Sequence, residues 1–582
     1  MPDYELLIKN GTIVEGTRIP AFKGDIGISG GRITAMGNLT GSAARVIDAT
    51  GLIVAPGFMD IHTHYDAALS GGTKWDPYAS LSAWHGVTTV AIGNCGFGFA
   101  PVKPEDRERA MRRMERTESI PLSCMQAGMR WDWITFPEFL DSLERGGLGV
   151  NAASLVPYSP LRAYVLGNEA ARDPDYTPSG DEIAAIKRIL REGLAVGGFG
   201  FSGTFSMANR DYDGGYLPTH VVRREEMLEM AKVVSEFNRG SIEWTIGRSL
   251  HGLDLKFLHE MAQVSGRPVN WNAVFYNPAD PNGWKEQLEW CETAHRQAPI
   301  FPVDLCLPGE AEFKFESIGL FDDLPAWNEA TQGSFEERKA KLADPARRPA
   351  LRRDSEGRMR FAAFEKQDGE TGQLTRFNFQ ETIIEAATEK NKHLTGRTVA
   401  EVAAEQGRHP VDVMLDLSVE ENLQTEFRTT GRINNDETKL AQILKHPLAL
   451  IGASDGGAHT KFATSGSYPT YFLSHWVRDK QLMSLEEAHW RLSSMIGWAI
   501  GIHDRGWLRE GMPADIVVYD YEKLSLRPTE TVHDLPDGDW RRVRRADGYR
   551  HVIVNGKVTF EDNVCTGALP GKMLRSNEQA AG

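Results

Sequence analysis

The sequence predicts an α/β protein, a parallel βα barrel accompanied by a small all-β unit drawn from both ends of the chain. Three observations carry this. Residues 4–54 read as short strands punctuated by Asn-Gly and Gly-Gly, which are strong hairpin signals. The same grammar returns after residue 513. Between these ends, apolar strand-like runs alternate with amphipathic helical stretches, as in a parallel sheet wrapped by helices.

Taken in order, residues 4–9 form a strand, Asn10-Gly11 a turn and residues 12–15 a second strand. Residues 25–29 and 32–36 form a hairpin across Gly30-Gly31. An apolar run at 52–56 enters a core and leads into Gly57-Phe-Met-Asp-Ile-His62-Thr-His64-Tyr-Asp66. Residues 87–92 form a strand that ends at Gly93-Asn94-Cys95-Gly96, and 150–156 form another. Residues 181–196 form a helix with Ile183, Ile186, Ile189 and Leu190 on one face and acids in its first turn. Strands at 198–202, 241–245 and 268–273 alternate with helices at 225–237 and 253–264. Residues 308–375 break this rhythm with Phe313, Phe315, Phe321 and a charged stretch, and read as an insertion on a barrel loop, either a lid or a solvated excursion. A late strand at 448–451 runs into Ser454-Asp455. Residues 514–520 are a strand, and 551–554 and 557–560 form a hairpin across Asn555-Gly556. The division expected is 1–56 and 505–582 for the two parts of the small β domain, with the barrel at 57–504.

Composition narrows the function. The chain has 582 residues, 41% hydrophobic and 25% charged, in the range of globular proteins. Its net charge of −15 argues against nucleic acid as the main partner, because phosphate binding needs a basic footprint. A small-molecule substrate, anionic or not, needs only a local pocket. No signal peptide is read at Met1-Pro-Asp-Tyr-Glu, and no run of about 18 apolar residues is found, so neither export nor a membrane span is expected. Five scattered cysteines read as reduced thiols of a cytoplasmic protein.

The chemistry gathers at predicted strand ends. Side chains two apart on a strand share a face, so His62 and His64 project together while Ile61 and Thr63 face the other way. Paired imidazoles suit zinc and similar metals, although a bare His-x-His is also found as two satisfied polar residues in a turn. Cys95 ends the next strand, where a thiolate serves as ligand or nucleophile and a thiol as a small buried apolar group. His220 precedes a helix and on its own reads as structural. Asp455 follows a buried strand and offers a ligand and a proton acceptor, with His459 four residues on. Trp131, Trp133, Trp244 and Trp271 line either an apolar pocket or the core. Neither a dinucleotide fingerprint nor a Gly-x-Ser-x-Gly elbow is present.

These residues resemble the amidohydrolase superfamily, and within it the D-aminoacylase (N-acyl-D-amino-acid deacylase) branch. The resemblance spans nearly the whole chain. It rests on Ala55-Pro-Gly-Phe-Met-Asp-Ile-His-Thr-His-Tyr-Asp66, His85-Gly-Val-Thr-Thr-Val, Gly93-Asn-Cys-Gly-Phe-Gly-Phe-Ala-Pro101, Leu161-Arg-Ala-Tyr-Val-Leu-Gly167, Ser454-Asp-Gly-Gly457, the segment 504–520 and Thr566-Gly-Ala-Leu-Pro-Gly571. It implies a distorted (β/α)8 TIM-type barrel with a small β-sandwich domain formed from both termini. It implies one or two Zn2+ per chain, held by His62, His64, Cys95, His220 and Asp455, with Asp455 as the catalytic base. Where the family carries a further histidine and a lysine, this chain reads Ser241-Ile-Glu-Trp-Thr-Ile-Gly. Strand alternation points Glu243 inward and Trp244 outward, so Glu243 is expected to bind a metal or orient its water, and His251 is not. Tyr158, Arg162 and His459 are expected to bind substrate. The reaction expected is metal-assisted hydrolysis of a C–N amide, most simply an N-acyl-amino acid of D-type. Its rivals are a cyclic amide, carbamate or lactone hydrolase on the same site, an inactive scaffold, and a metal-free enzyme with Cys95 as nucleophile.

Overall fold

A computed structural model describes residues 2–579 apart from 208, 279, 317–320, 322–323, 357, 361–372, 376–378, 431–432 and 463–464. The two ends of the chain meet in one mixed nine-stranded sheet. Its seam pairs Ile53–Pro56 antiparallel with Ile516–Tyr519, in register Val54 to Val518. Alternating apolar side chains from both ends, including Leu6, Ile8, Ile26, Ile28, Val54, Ile516, Val518 and Ile553, form one buried cluster on it. Two of the expected hairpins form. Gly30-Gly31 and Asn555-Gly556 have both central residues at positive φ, as tight two-residue hairpin turns require. The third expectation fails. Strand Tyr4–Ile13 runs straight through Asn10-Gly11, with a register shift against its neighbour between Ile8 and Gly11. Asn10 takes φ 62° there and gives its N–H to Asp25 Oδ1 at 2.8 Å, so the pair makes a bulge, not a reversal.

The central part is an α/β fold of TIM-barrel type built on three parallel ladders. Phe58–Asp60, Val87–Ile92 and Asn151–Ser154 form the first. Val156–Pro157, Gly200–Thr204, Ser241–Thr245, Val269–Val274, Ile300–Asp304 and Leu450–Ile451 form the second. Ala453–Gly456 pairs with His62–Thr63 in the third. The breaks between ladders are short: Leu155 alone separates the first from the second, and Gly452 alone the second from the third. The last strand thereby returns to the first. The helices expected between strands form at Gly180–Ala195, Arg224–Ser235 and Leu255–Ser265. The first opens with a Ser179/Glu182 capping box and the third with an Asp254 cap, each satisfying backbone N–H groups left free at a helix start.

The excursion before the last barrel strand is larger than 308–375. Its sheet joins Ala311–Phe313 to Glu426–Thr429 and Thr382–Ala386, so residues well past 375 are needed to close it. It carries its own apolar core, with Phe313, Phe315, Trp327, Leu351, Met414 and Phe427 buried together, so it is not a solvated loop. Phe462, from the loop after the last barrel strand, is part of that core. Residues 361–372 of the expected insertion lie outside the described residues. No described helix is long and apolar enough to cross a membrane.

Candidate metal centre

His62 and His64 sit where the first barrel strand meets the last. The N–H of His62 donates to Gly452 O and that of His64 to Gly456 O at 2.7 Å, which ties both to the strand that carries Asp455. Thr63 between them faces away and donates its hydroxyl to Ala91 O at 2.6 Å. The two imidazoles stand edge to face, with centroids 5.4 Å apart. Cys95 lies in a tight turn after strand Val87–Ile92, with φ 77° at Gly93, 58° at Cys95 and 71° at Gly96. A Cβ on Gly93 would sit 2.4 Å from Leu155 O, so only glycine admits this approach. The turn sends Cys95 Sγ back to 3.4 Å from His62 Nε2 and 3.1 Å from Thr245 Oγ1. Asp455, at φ 50°, places Oδ1 3.2 Å from His62 Nε2 and 3.7 Å from His64 Nε2.

The donor atoms of His62, His64 and Cys95 all lie within 4.8 Å of one another. A tetrahedral zinc with ligands at about 2.0–2.3 Å sets neighbouring donors about 3.3–3.8 Å apart. The separations of 3.2, 3.4 and 3.7 Å lie close to that spacing, and imidazole, thiolate and carboxylate are its usual donors, so the residues fit a divalent cation. Electrostatics agree. Burial pushes the Cys95 thiol up to about 12, against the opposing charge of His62. It drives the His64 imidazole down to about 3, with His62 adding to the effect. Burial works against charging Asp455 as well, but the hydrogen bond and charge of His62 outweigh it and hold this carboxyl well below the usual range. A cation bound at this point would be the counter-charge that lets a thiolate and a carboxylate share the site.

The other expected residues divide. Glu243 is brought to the cluster and points inward as alternation requires, while Trp244 packs outward against Phe201 and Phe205. It stands on the far side of His62, with Oε1 3.5 Å from Nδ1, not on the Nε2 side where the donors converge. His459 is at the site, 3.4 Å from a Glu118 carboxylate oxygen. His220 is not brought there. Its Nε2 bonds Ser206 O at 2.9 Å and its Nδ1 accepts the Leu217 N–H at 3.3 Å, so its own backbone uses both nitrogens. Tyr158 and Arg162 are not at the site either. Both are buried against Glu226, with Tyr158 Oη donating at 2.6 Å and Arg162 Nε at 2.7 Å. His251 is not among the clustered donors. Trp133, Trp244 and Trp271 are fully buried core residues, and Trp131 stacks on Trp133.

Sequence reasoning missed Glu118 and Asn272. Glu118 ends helix Arg107–Glu118 and sits 3.6 Å from His64 Nε2, and its carbonyl accepts the His459 N–H at 2.7 Å. Burial pushes its carboxyl well above the usual range, and Asp455 adds to this. Asn272 comes from the neighbouring strand and donates its amide to Glu243.

A model of the Amidohydrolase family matches residues 45–560. This chain belongs to that family. Among curated relatives, the D-aminoacylase of Alcaligenes xylosoxydans xylosoxydans is 28% identical over 98% of this chain and 97% of its own. The N-acyl-D-glutamate deacylase of the same organism is 25% identical over 99% and 98%. Among solved structures, the N-acyl-D-glutamate deacylase of Bordetella bronchiseptica, complexed with zinc and a phosphonate inhibitor, superposes with a TM-score of 0.66 at 22% identity. That match covers 98% of this chain and 99% of that one. A D-aminoacylase described with a binuclear metal centre gives 0.65 at 24%, over 98% and 100%. The amidohydrolase family and these relatives support an amide hydrolase acting on a small molecule, and the two superpositions support the fold.

Proposed function

We propose that this amidohydrolase cleaves the C–N amide bond of a small N-acyl-amino acid, of D-type, at a zinc centre held by His62, His64, Cys95 and Asp455. The observation that carries this is the convergence of two imidazoles, a thiol and a carboxylate from three barrel strands, within a fold shared with deacylases. When bound, the one or two divalent cations expected there would lower the pKa of water from 15.7 to about 7 and polarise the scissile carbonyl. The protein's own part falls to Asp455. Its Oδ1 faces both histidines while 42% of its side chain remains accessible, so it meets substrate from the open side. There it takes the proton of the attacking water and gives it to the leaving nitrogen. His459 stands beside it, 3.4 Å from the buried Glu118 carboxylate. We read the ladders as a distorted (β/α)8 barrel, and the joint sheet as the small β-sandwich domain, with boundaries near 56 and 505. Five cysteines free of disulfides suit a cytoplasmic setting.

The test is a hydrolysis panel of N-acyl-D-amino acids, their L-enantiomers, cyclic amides and lactones. Turnover of an N-acyl-D-amino acid above the others supports the reading. Exclusive turnover of a cyclic amide or lactone replaces it.

A further inference from the structure

Strands Ser241–Thr245 and Val269–Val274 put a polar row in the barrel interior: Ser241, Glu243 and Thr245 on one, Asn270 and Asn272 on the other. Ser241, Glu243, Asn270 and Asn272 line one small void with His62, next to apolar neighbours such as Ile61, Phe199 and Val303. Polar groups placed there cost stability unless they are paired. The structure shows what this row holds.

Glu243 makes three contacts, all toward the centre or its support. Its Oε2 accepts the backbone N–H of Cys95 at 2.8 Å. Its Oε1 accepts the Asn272 amide and faces His62 Nδ1 at 3.5 Å. His62 Nδ1 is buried and has no hydrogen-bond partner among the described residues, while Nε2 of the same ring faces Cys95 Sγ and Asp455 Oδ1. Two residues along the same strand face, Thr245 Oγ1 touches the Cys95 sulfur at 3.1 Å. A carboxylate on the Nδ1 side of a ring cannot share the metal position on its Nε2 side.

We propose that Glu243 is the positioning carboxylate of the metal centre and not one of its ligands. It keeps the proton of His62 on Nδ1, so that Nε2 presents its lone pair to the cation. It also pins the left-handed backbone of Cys95, so that Sγ points back at His62. Asn272 fixes the carboxylate in turn. One side chain thereby sets the direction of two donors that come from different strands. This rests on the metal-centre reading above.

The experiment compares Glu243→Gln, Glu243→Ala and Asn272→Ala with the wild-type protein, each stripped and reloaded with Co2+. Three quantities are read: cobalt bound per chain and its Kd by chelator competition, the visible spectrum with its thiolate-to-cobalt band, and the 15N shifts of His62 in the zinc-loaded protein. Wild type is expected to show His62 protonated on Nδ1. Glu243→Gln is expected to keep the stoichiometry and the spectrum while Kd rises about 10–100-fold, the usual cost of losing such an outer partner. Glu243→Ala should match or exceed that loss, and Asn272→Ala, which leaves the carboxylate in place, should show a smaller one. A spectrum altered in Glu243→Gln as by loss of a donor makes Glu243 a ligand and overturns the proposal. An unchanged Kd in all three variants, or a wild-type His62 protonated on Nε2, overturns it too. If wild type hydrolyses no amide yet these shifts appear, the function reading falls and the positioning role stands.

Discussion

Asp455 is set apart from its neighbours at the level of single residues. His62, His64, Cys95, Glu118 and Glu243 are all buried, whereas 42% of the Asp455 side chain is accessible. Its position also departs from ordinary strand geometry, with φ 50° at a non-glycine residue, and Cys95 and His459 share that departure at 58° and 50°. Left-handed backbone is uncommon outside glycine and gathers at functional sites, where it aims side chains that regular strands would turn away. Asp455→Asn keeps the shape of the side chain but cannot take a proton from water. It is expected to lower kcat about 10²–10⁴-fold with an unchanged circular dichroism spectrum. A kcat near wild type would remove Asp455 from the role of base.

Individual elements explain both what sequence patterns revealed and what they hid. That His62 and His64 project together was legible from period-two alternation, while Cys95 and Asp455 were legible only by their places near predicted strand ends, because left-handed backbone and not alternation aims them. The inward face of Glu243 was legible from alternation too. Glu118 was not, because it reaches the site from the end of a helix that reads as charged and amphipathic. His220 misled because the short turn Pro218–His220 bends its ring back onto Leu217 and Ser206. Tyr158 and Arg162 misled because their partner, Glu226, lies 64 residues beyond Arg162 and leaves no local trace. These two residues belong to helix Tyr158–Leu166, and Glu226 to helix Arg224–Ser235, so the buried ion pair clamps one barrel helix to another. Arg162→Ala strands a buried carboxylate and is expected to lower the unfolding free energy by about 3–5 kcal/mol. Urea denaturation reads this loss, while KM of the folded variant should equal that of wild type. A tenfold rise in KM without loss of stability would return Arg162 to the substrate site.

Across the whole molecule, burial also acts on a carboxyl that is not one of the clustered donor groups. Asp304 ends strand Ile300–Asp304, and its side chain is buried. Burial pushes its pKa up to about 8. The folded protein therefore keeps this proton after the unfolded chain has lost it. The contribution is complete below about pH 4, falls as pH rises toward 8, and is constant beyond. Asp304→Asn removes that slope. Its stability relative to wild type is expected to rise between pH 4 and 8, by at most about 1.4 kcal/mol per pH unit, in urea titrations at fixed salt. A flat difference would show Asp304 ionised when folded. Hydrolysis is expected to depend on a divalent cation at the centre formed by His62, His64, Cys95 and Asp455. The most direct measurement is a zinc titration of chelator-stripped protein, followed by amide hydrolysis at each point. Stripped protein should show no turnover, turnover should rise in proportion to metal bound, and His62→Ala should show no recovery. Full turnover in protein holding less than about a tenth of a metal per chain, lost on thiol alkylation, would contradict it and make Cys95 the nucleophile.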